Sequence, residues 1–368
     1  MRGRMLHIGR EGTLVSQDYG VHGETFSVKV IGLTGEITTA KADLIVGCDG
    51  AFSAVRNSLM RHIRLDFSQE YIPHGYCELN IPAKIGANGE AEFAMDPNHL
   101  HIWPRHKFMM IALPNPDKSF TVTLFMPFAN FEQIRTEADL LKFFDKYFTD
   151  AVELMGKEHL VKDYFKNPKG SLVMIKANPY HLKNRCIILG DAAHSMVPFY
   201  GQGMNCGFED VRILDELLTE FGVKATLDEE NDRALTLALQ AYTDRRAKDI
   251  KSICQLALYN YTEMRHGVTS PMYLARKKIE SWLHLLVPTK IIPLYTMVSF
   301  SNRPYSEAYA RHHRQGWWLG VASTALGLGT AAGLAFAGWT QRRRFGEARD
   351  VLKAAMVSAA GSVQKLIQ

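Results

Sequence analysis

The apolar positions of this chain follow two periodicities. Leu44–Val46 and Cys186–Leu189 are short, continuous, β-branched runs, each followed within a few residues by glycine and aspartate. Runs of that length and type predict strands buried on both faces. Ser27–Ile31 partly alternates and stops at Gly32, and Ile37–Thr39 reads as its returning partner across a turn at Gly35. Residues 70–128 contain YIPHGYCELNIPA, HIWPRHKFMMIALPN and FTVTLFMPF. These predict three or four long strands, broken by Pro and Asn turns, in an antiparallel sheet.

Helical spacing takes over elsewhere. Phe131–Phe148 is amphipathic, and from Met204 onward Phe208, Val211, Leu214, Leu217 and Leu218 recur three and four apart. Leu235–Met264 is a longer helical stretch, with Leu237, Leu239, Tyr242, Ile250, Ile253, Leu256 and Tyr259 as its apolar positions. Lys277–Leu286 and Ile291–Phe300 predict two more helices, while residues 1–20 read as polar and basic. Residues 316–339 carry no charge, are flanked by Trp317, Trp318 and Trp339, and precede Arg342–Arg344. A stretch of that length predicts a membrane-crossing helix with an interfacial belt. The expected divisions are therefore 1–68, 69–180, 181–225, 226–315, 316–340 and a tail, 341–368, that reads as a further amphipathic helix.

Composition removes several classes. At 368 residues, 46% hydrophobic and 22% charged, the chain can bury a sizeable core and is not a disordered one. The net charge of +5 comes without a basic, aromatic-interleaved stripe, so nucleic acid is not an expected partner. The five cysteines are scattered with no CxxC pair, which argues against zinc and against a disulfide framework.

Two stretches carry chemistry. Asp43–Arg56, DLIVGCDGAFSAVR, reads as strand, turn and helix, with Ser53 placed to cap the helix. Arg185–Asp210, RCIILGDAAHSMVPFYGQGMNCGFED, reads as strand, tight loop, glycine-rich turn and helix start. An aspartate just past a strand can accept from a sugar hydroxyl, and a helix start with bare glycines lets backbone N–H groups approach an anion.

Both stretches resemble motifs of the FAD-dependent aromatic monooxygenase family, in the family's order. The resemblance implies that fold: a Rossmann-like FAD domain, an antiparallel substrate sheet and C-terminal helices. It implies FAD contacts at Asp49, Gly190, Asp191, Pro198, Gly201, Gly203, Met204 and Asn205, with Phe199 and Gln202 lining the turn near the flavin ring. Arg56 would help bind dinucleotide, including NADPH. QEYIPHGYCELNIP, HLHIWPRHKFMMIALPN, YNYTEMR and IPLYTMVSFS narrow the likeness to the branch that hydroxylates L-kynurenine with NADPH and O2. There the substrate amine already activates the ring, so no strong protein base is implied, and no catalytic residue or metal. Arg4 would pair with the substrate carboxylate, while Tyr19, Asn260 and Tyr295 would hydrogen-bond the amino-acid end. The resemblance also implies a C-terminal anchor in the mitochondrial outer membrane, with the catalytic part facing the cytosol.

The chain departs from the family in one respect. No strand followed by GxGxxG occurs in residues 1–60, and a second gap falls between Tyr19 and Ser27. The FAD domain is thus expected to be truncated. This opens an alternative to the hydroxylase: a silent, membrane-tethered isoform or fragment that acts by interaction. Another aromatic hydroxylase of the family is a third reading.

Overall fold

The computed structural model describes residues 5–8, 13–18, 26–31, 37–224 and 229–366. The chain divides into two units, residues 1–309 and 310–368. In the first, strand β1 (Met5–Ile8) precedes three antiparallel strands, β2 (Thr13–Asp18), β3 (Phe26–Ile31) and β4 (Ile37–Ala42). The hairpin expected at Ser27–Thr39 is present and longer. Met5–Ile8 corrects the reading of residues 1–20 as plain polar chain. It lies parallel to β5 (Leu44–Gly47), with Met5 opposite Leu44 and Ile8 opposite Gly47. Four residues give too little periodicity to identify a strand; the buried neighbour decides it.

Every residue of β5 is buried. Helix α1 (Ala54–Leu59) follows, capped by Ser53, whose Oγ accepts from the Arg56 N–H. The helix crosses the strand so closely that a Cβ on Gly47 would stand 2.7 Å from Val55 Cγ1 and 3.1 Å from Ile188 Cγ2.

The second layer begins with β6 (Asp66–Ile81). A small hairpin, β7 (Lys84–Ile85) and β8 (Ala91–Glu92), leads to β9 (His101–Arg105), β10 (Phe108–Pro114) and β11 (Phe120–Pro127). Four helices come next: α2 (Phe128–Phe131), α3 (Glu137–Tyr147), α4 (Thr149–Met155) and α5 (Lys157–Lys166). Thr136 and Asp139 form a reciprocal capping box at the start of α3. Strand β12 (Gly170–Asn178) completes an antiparallel sheet ordered β12-β6-β11-β10-β9.

Strand alternation makes this sheet two-faced. Met110, Leu124 and Cys77 join Phe144, Phe148, Leu160 and Tyr164 of α3–α5 in one core. Their neighbours Met109 and Phe125 point the other way, into the core that contains Ile45, Ile187, Phe199 and Tyr261.

Strands β13 (His181–Leu182) and β14 (Cys186–Ile188) return the chain to the first sheet, ordered β1-β5-β14-β13. β14 runs parallel to β5, with Cys186 opposite Ile45 and Ile188 opposite Gly47. The remaining elements are α6 (Asp191–His194), α7 (Gly203–Glu220), α8 (Glu229–Arg265), α9 (Pro271–Leu286), α10 (Leu294–Ser299) and α11 (Tyr305–Leu366). Helix α7 lies in a different phase from the expected one. Its buried side is Cys206, Asp210, Ile213, Leu214 and Leu217, whereas Phe208 and Val211 are exposed.

The second unit is helical from Ala310 to Leu366. Among the described residues no helix is long and apolar enough to cross a membrane. The membrane-crossing expectation for 316–340 is therefore not met. The stretch lacks charge, but Gly316, Gly320, Gly329, Gly333, Thr324 and Thr330 dilute its apolar content.

Gly47 gives a direct check on the β5–α1 crossing. Gly47→Ala should cost about 1–3 kcal/mol in urea unfolding, and Val55→Ala in the same chain should recover part of it. A neutral Gly47→Ala would show that the two elements are not so closely apposed.

Candidate functional site

Asp49 and Asp191 stand just past the C-terminal ends of adjacent parallel strands, the position where open α/β sheets bind ligands. The two turns are tied together from below. Arg56, only 1% exposed, donates from Nη1 to the Ala192 carbonyl at 2.7 Å and from Nη2 to the Ala51 carbonyl at 2.7 Å. Its guanidinium lies 4.8 Å from the Phe67 ring centroid. Burial lowers the Arg56 pKa from its ordinary value, with Asp49 partly opposing that shift. The side chain implied as a dinucleotide ligand is thus spent on two backbone carbonyls.

The Asp49 carboxylate is also engaged locally. It accepts from Ser53 Oγ at 2.5 Å, from the Ala54 N–H at 2.7 Å and from the Val55 N–H at 3.1 Å. It therefore caps α1 and favours the positive end of that helix dipole.

A second buried charge supports the other turn. Asp210 is fully buried; its Oδ2 accepts from the Gly190 N–H at 2.9 Å and lies 2.6 Å from His194 Nε2. Its Oδ1 accepts from Arg246 Nε at 2.9 Å and Nη2 at 2.7 Å. Burial alone would raise the Asp210 pKa, but His194, Arg246 and the Gly190 N–H outweigh it and hold the carboxyl below its ordinary value. His194, Cys206 and Asp210 bring three ligand-type atoms within 4.8 Å of one another. Arg246 already takes Oδ1 and reaches Cys206 Sγ at 3.2 Å, and burial pushes the Cys206 thiol far up. A guanidinium fills the place a cation would take.

Gly190 has φ +57° and Gly201 φ +66°, conformations that glycine adopts without strain. Nothing lies within 4 Å of where a Cβ would project from Gly50, Gly190, Gly201 or Gly203. Helix α7 starts at Gly203 with no side-chain cap, leaving its first N–H groups to an outside acceptor. Asp191, Met204 and Asn205 are exposed, as is Phe52. Open backbone, uncapped donors and uncovered apolar side chains together fit the ribityl and ring end of a flavin. The sequence holds no GxGxxG to seat its pyrophosphate.

The turn Pro198–Tyr200 joins this site to the sheet and to α8. Phe199 stacks on Tyr261 with ring centroids 3.9 Å apart and meets Phe125 of β11 edge-on at 4.9 Å. Asn260 Nδ2 donates to the Phe199 carbonyl at 2.7 Å, so this expected substrate ligand also fixes the turn. Tyr295 is 58% exposed and stacks 6.1 Å from Tyr200. Gln202, buried at the start of α7, donates to Ser299 Oγ at 3.3 Å and accepts from Asn205 Nδ2 at 3.3 Å. Behind it a cavity of about 340 Å³ opens between α7 and the Val298–Tyr305 segment, away from Asp49, Asp191 and Asn260. Arg4 and Tyr19 lie outside the described residues.

Comparison with known proteins decides the family. The FAD binding domain family matches residues 6–257. Kynurenine 3-monooxygenase of Anopheles gambiae is 51% identical over 76% of this chain and 54% of its own. The Sus scrofa enzyme of that name is 49% identical over 77% and 56%, and the Caenorhabditis briggsae one 44% over 88% and 67%. The chain belongs to the kynurenine 3-monooxygenase family. It spans a little over half the length of the first two relatives. Among solved structures, p-nitrophenol 4-monooxygenase of Pseudomonas putida superposes with a TM-score of 0.50 at 19% identity, over 72% of this chain and 60% of that one. That likeness concerns the fold alone.

For this member of the kynurenine 3-monooxygenase family, sequence reasoning missed Asp210, Arg246 and His194, and gave Arg56 an outward role. The signal for Asp210 was its place four residues after Cys206 on a helix whose other matching positions are apolar. A charge there requires a buried partner.

Removing that charge should leave the buried Arg246 with only its longer contact to Asp249 Oδ2 at 3.7 Å, so Asp210→Asn should cost about 3 kcal/mol in urea unfolding. Because the folded Asp210 pKa is depressed, its contribution is complete above the ordinary carboxylate value of about 4. It is lost as the pH falls through the lower folded value. The stability gap between parent and variant should stay constant from neutrality down to that range, then close in stronger acid. A gap that already closes near neutrality would refute the assignment.

Proposed function

We propose that the chain is the FAD-binding and substrate-binding part of an NADPH-dependent monooxygenase that hydroxylates L-kynurenine to 3-hydroxykynurenine with O2. The observation that carries this reading is the pair of strand-end turns, locked to each other by Arg56, which leave open backbone and an uncapped helix start on one side. The names of the relatives support the choice of substrate.

FAD would be held by Asp191 and Gly190 at its ribityl chain and by Gly203, Met204 and Asn205 at its ring. Bound there, it would supply two-electron redox chemistry and the activation of O2, with NADPH as the reductant. The protein's own work is positioning and water exclusion. The N–H groups opening α7 favour negative charge on the ring edge they face. Phe199, braced by Phe125, Tyr261 and the Asn260 amide, would set the wall against which the aromatic substrate lies. Tyr295 offers a hydroxyl to the amino-acid end, and Arg4 and Tyr19 retain the roles that the resemblance gives them. No residue need act as a strong base, because the ring is activated by its own amine. The location proposed for the protein is the mitochondrial outer membrane, with this part facing the cytosol.

The purified chain should take up close to one FAD per protein, and NADPH oxidation should rise with added L-kynurenine and yield the 3-hydroxylated product. Asn260→Leu should free the Phe199 turn and reduce kynurenine-stimulated turnover roughly tenfold or more, since about 1–3 kcal/mol attaches to an orphaned buried carbonyl. A colourless chain that binds no FAD, or turnover that ignores kynurenine, would overturn the proposal.

A further inference from the structure

Helix α9 is amphipathic, but it is turned the wrong way for a helix of a soluble core. None of its residues is buried. Its polar side is the one that meets the protein. Tyr273 donates to Glu263 of α8, Lys277 pairs with Glu263 at 3.2 Å, and His284 Nδ1 lies 2.7 Å from the Ile291 carbonyl. The opposite side carries Met272, Ile279, Trp282 and Leu286, spaced seven, three and four apart along one stripe. They are 83%, 56%, 72% and 76% exposed, and Leu285 beside them is 78% exposed. Large apolar side chains at that density are rarely left to water.

The charges say what covers the stripe. Helix α9 holds three cations, Arg276, Lys277 and Lys278, against one carboxylate, Glu280. That carboxylate is half-buried and bonded to Arg276 at 3.0 Å. Lys277 faces inward to Glu263, while Lys278 and Arg276, the latter paired with Glu280, flank the apolar stripe on either side. An apolar face edged by cations, with a tryptophan in it, is complementary to the headgroup boundary of an anionic bilayer.

We propose that α9 lies in the surface of an anionic membrane, with Met272, Ile279, Trp282, Leu285 and Leu286 inserted and Arg276 and Lys278 at phosphate level. This contact is separate from residues 316–340 and does not cross the bilayer. It does not rest on the kynurenine reading and can fail or stand without it.

The test uses the whole chain with Trp317, Trp318 and Trp339 changed to Phe. Trp282 then reports alone over Trp103, which is buried and bonded to Asp150 at 2.7 Å. Vesicles of phosphatidylcholine containing phosphatidylserine should shift the Trp282 emission to the blue, and lipids brominated near the headgroup should quench it. Pure phosphatidylcholine vesicles should do much less. Arg276→Gln with Lys278→Gln should weaken partitioning about thirtyfold, at about 1 kcal/mol per charge near an anionic surface. Trp282→Phe should remove the signal. Three results would each overturn the proposal. The chain could float with vesicles while Trp282 stays unchanged, which would place the contact elsewhere. It could fail to float. Or Trp282 could become shielded with rising protein concentration and no lipid, which would make a second copy the cover.

Discussion

The site depends on Arg56. Its guanidinium holds carbonyls from both turns, at Ala51 and Ala192, the second of them 136 positions further along the sequence. A buried guanidinium without acceptors is costly, so the two turns must sit where its fork reaches them. The constraint therefore runs from the cation to the loops. Strands β5 and β14 bring the turns to one edge, and Arg56 fixes their separation. A second buried charge, Asp210, does the same for Gly190 from the side of α7 and α8. Asp191, exposed at the second turn, can be tuned for a ligand because the residues beneath it carry the scaffold.

The antiparallel sheet adds a second constraint on the site. Adjacent residues on β10 and β11 belong to different cores, so the sheet is anchored on α3–α5 while Phe125 remains available to Phe199. The Phe199–Tyr261 stack then ties the Pro198–Tyr200 turn to α8. Position at the turn is thus set by three elements far apart in sequence. A shift in any one of them would be felt at the ring that the turn would face.

Much of this was legible in the sequence, for a physical reason. Continuous apolar runs closed by glycine and aspartate have few alternatives to a buried strand and a turn, and Leu44–Gly47 and Cys186–Ile188 form as expected. The Ser53 cap and the long strands of residues 70–128 follow equally local rules. What escaped was non-local. The inward role of Asp210 depends on Arg246, which lies 36 residues away. Apolar spacing alone places Phe208 and Val211 on the inner stripe, and both are exposed. Arg56 belongs to a motif whose resemblance suggested an outward role, and only burial shows the inward one. Met5–Ile8 was too short to read without β5 beside it.

The two apolar segments of the C-terminal half illustrate the same difference between composition and placement. Residues 316–339 carry no charge, yet their apolar residues are interrupted by glycine and threonine. Helix α9 carries three cations and so fails any search for a long uncharged run. Its apolar residues nevertheless share one side, and its polar side is the one bonded to Glu263 and the Ile291 carbonyl. Periodicity predicted the helix but not which face would turn inward. That choice was made by α8, which presents a carboxylate to α9 and so selects its polar side. A helix held in this way has no core to bury its leucines in, and the surrounding medium has to do it.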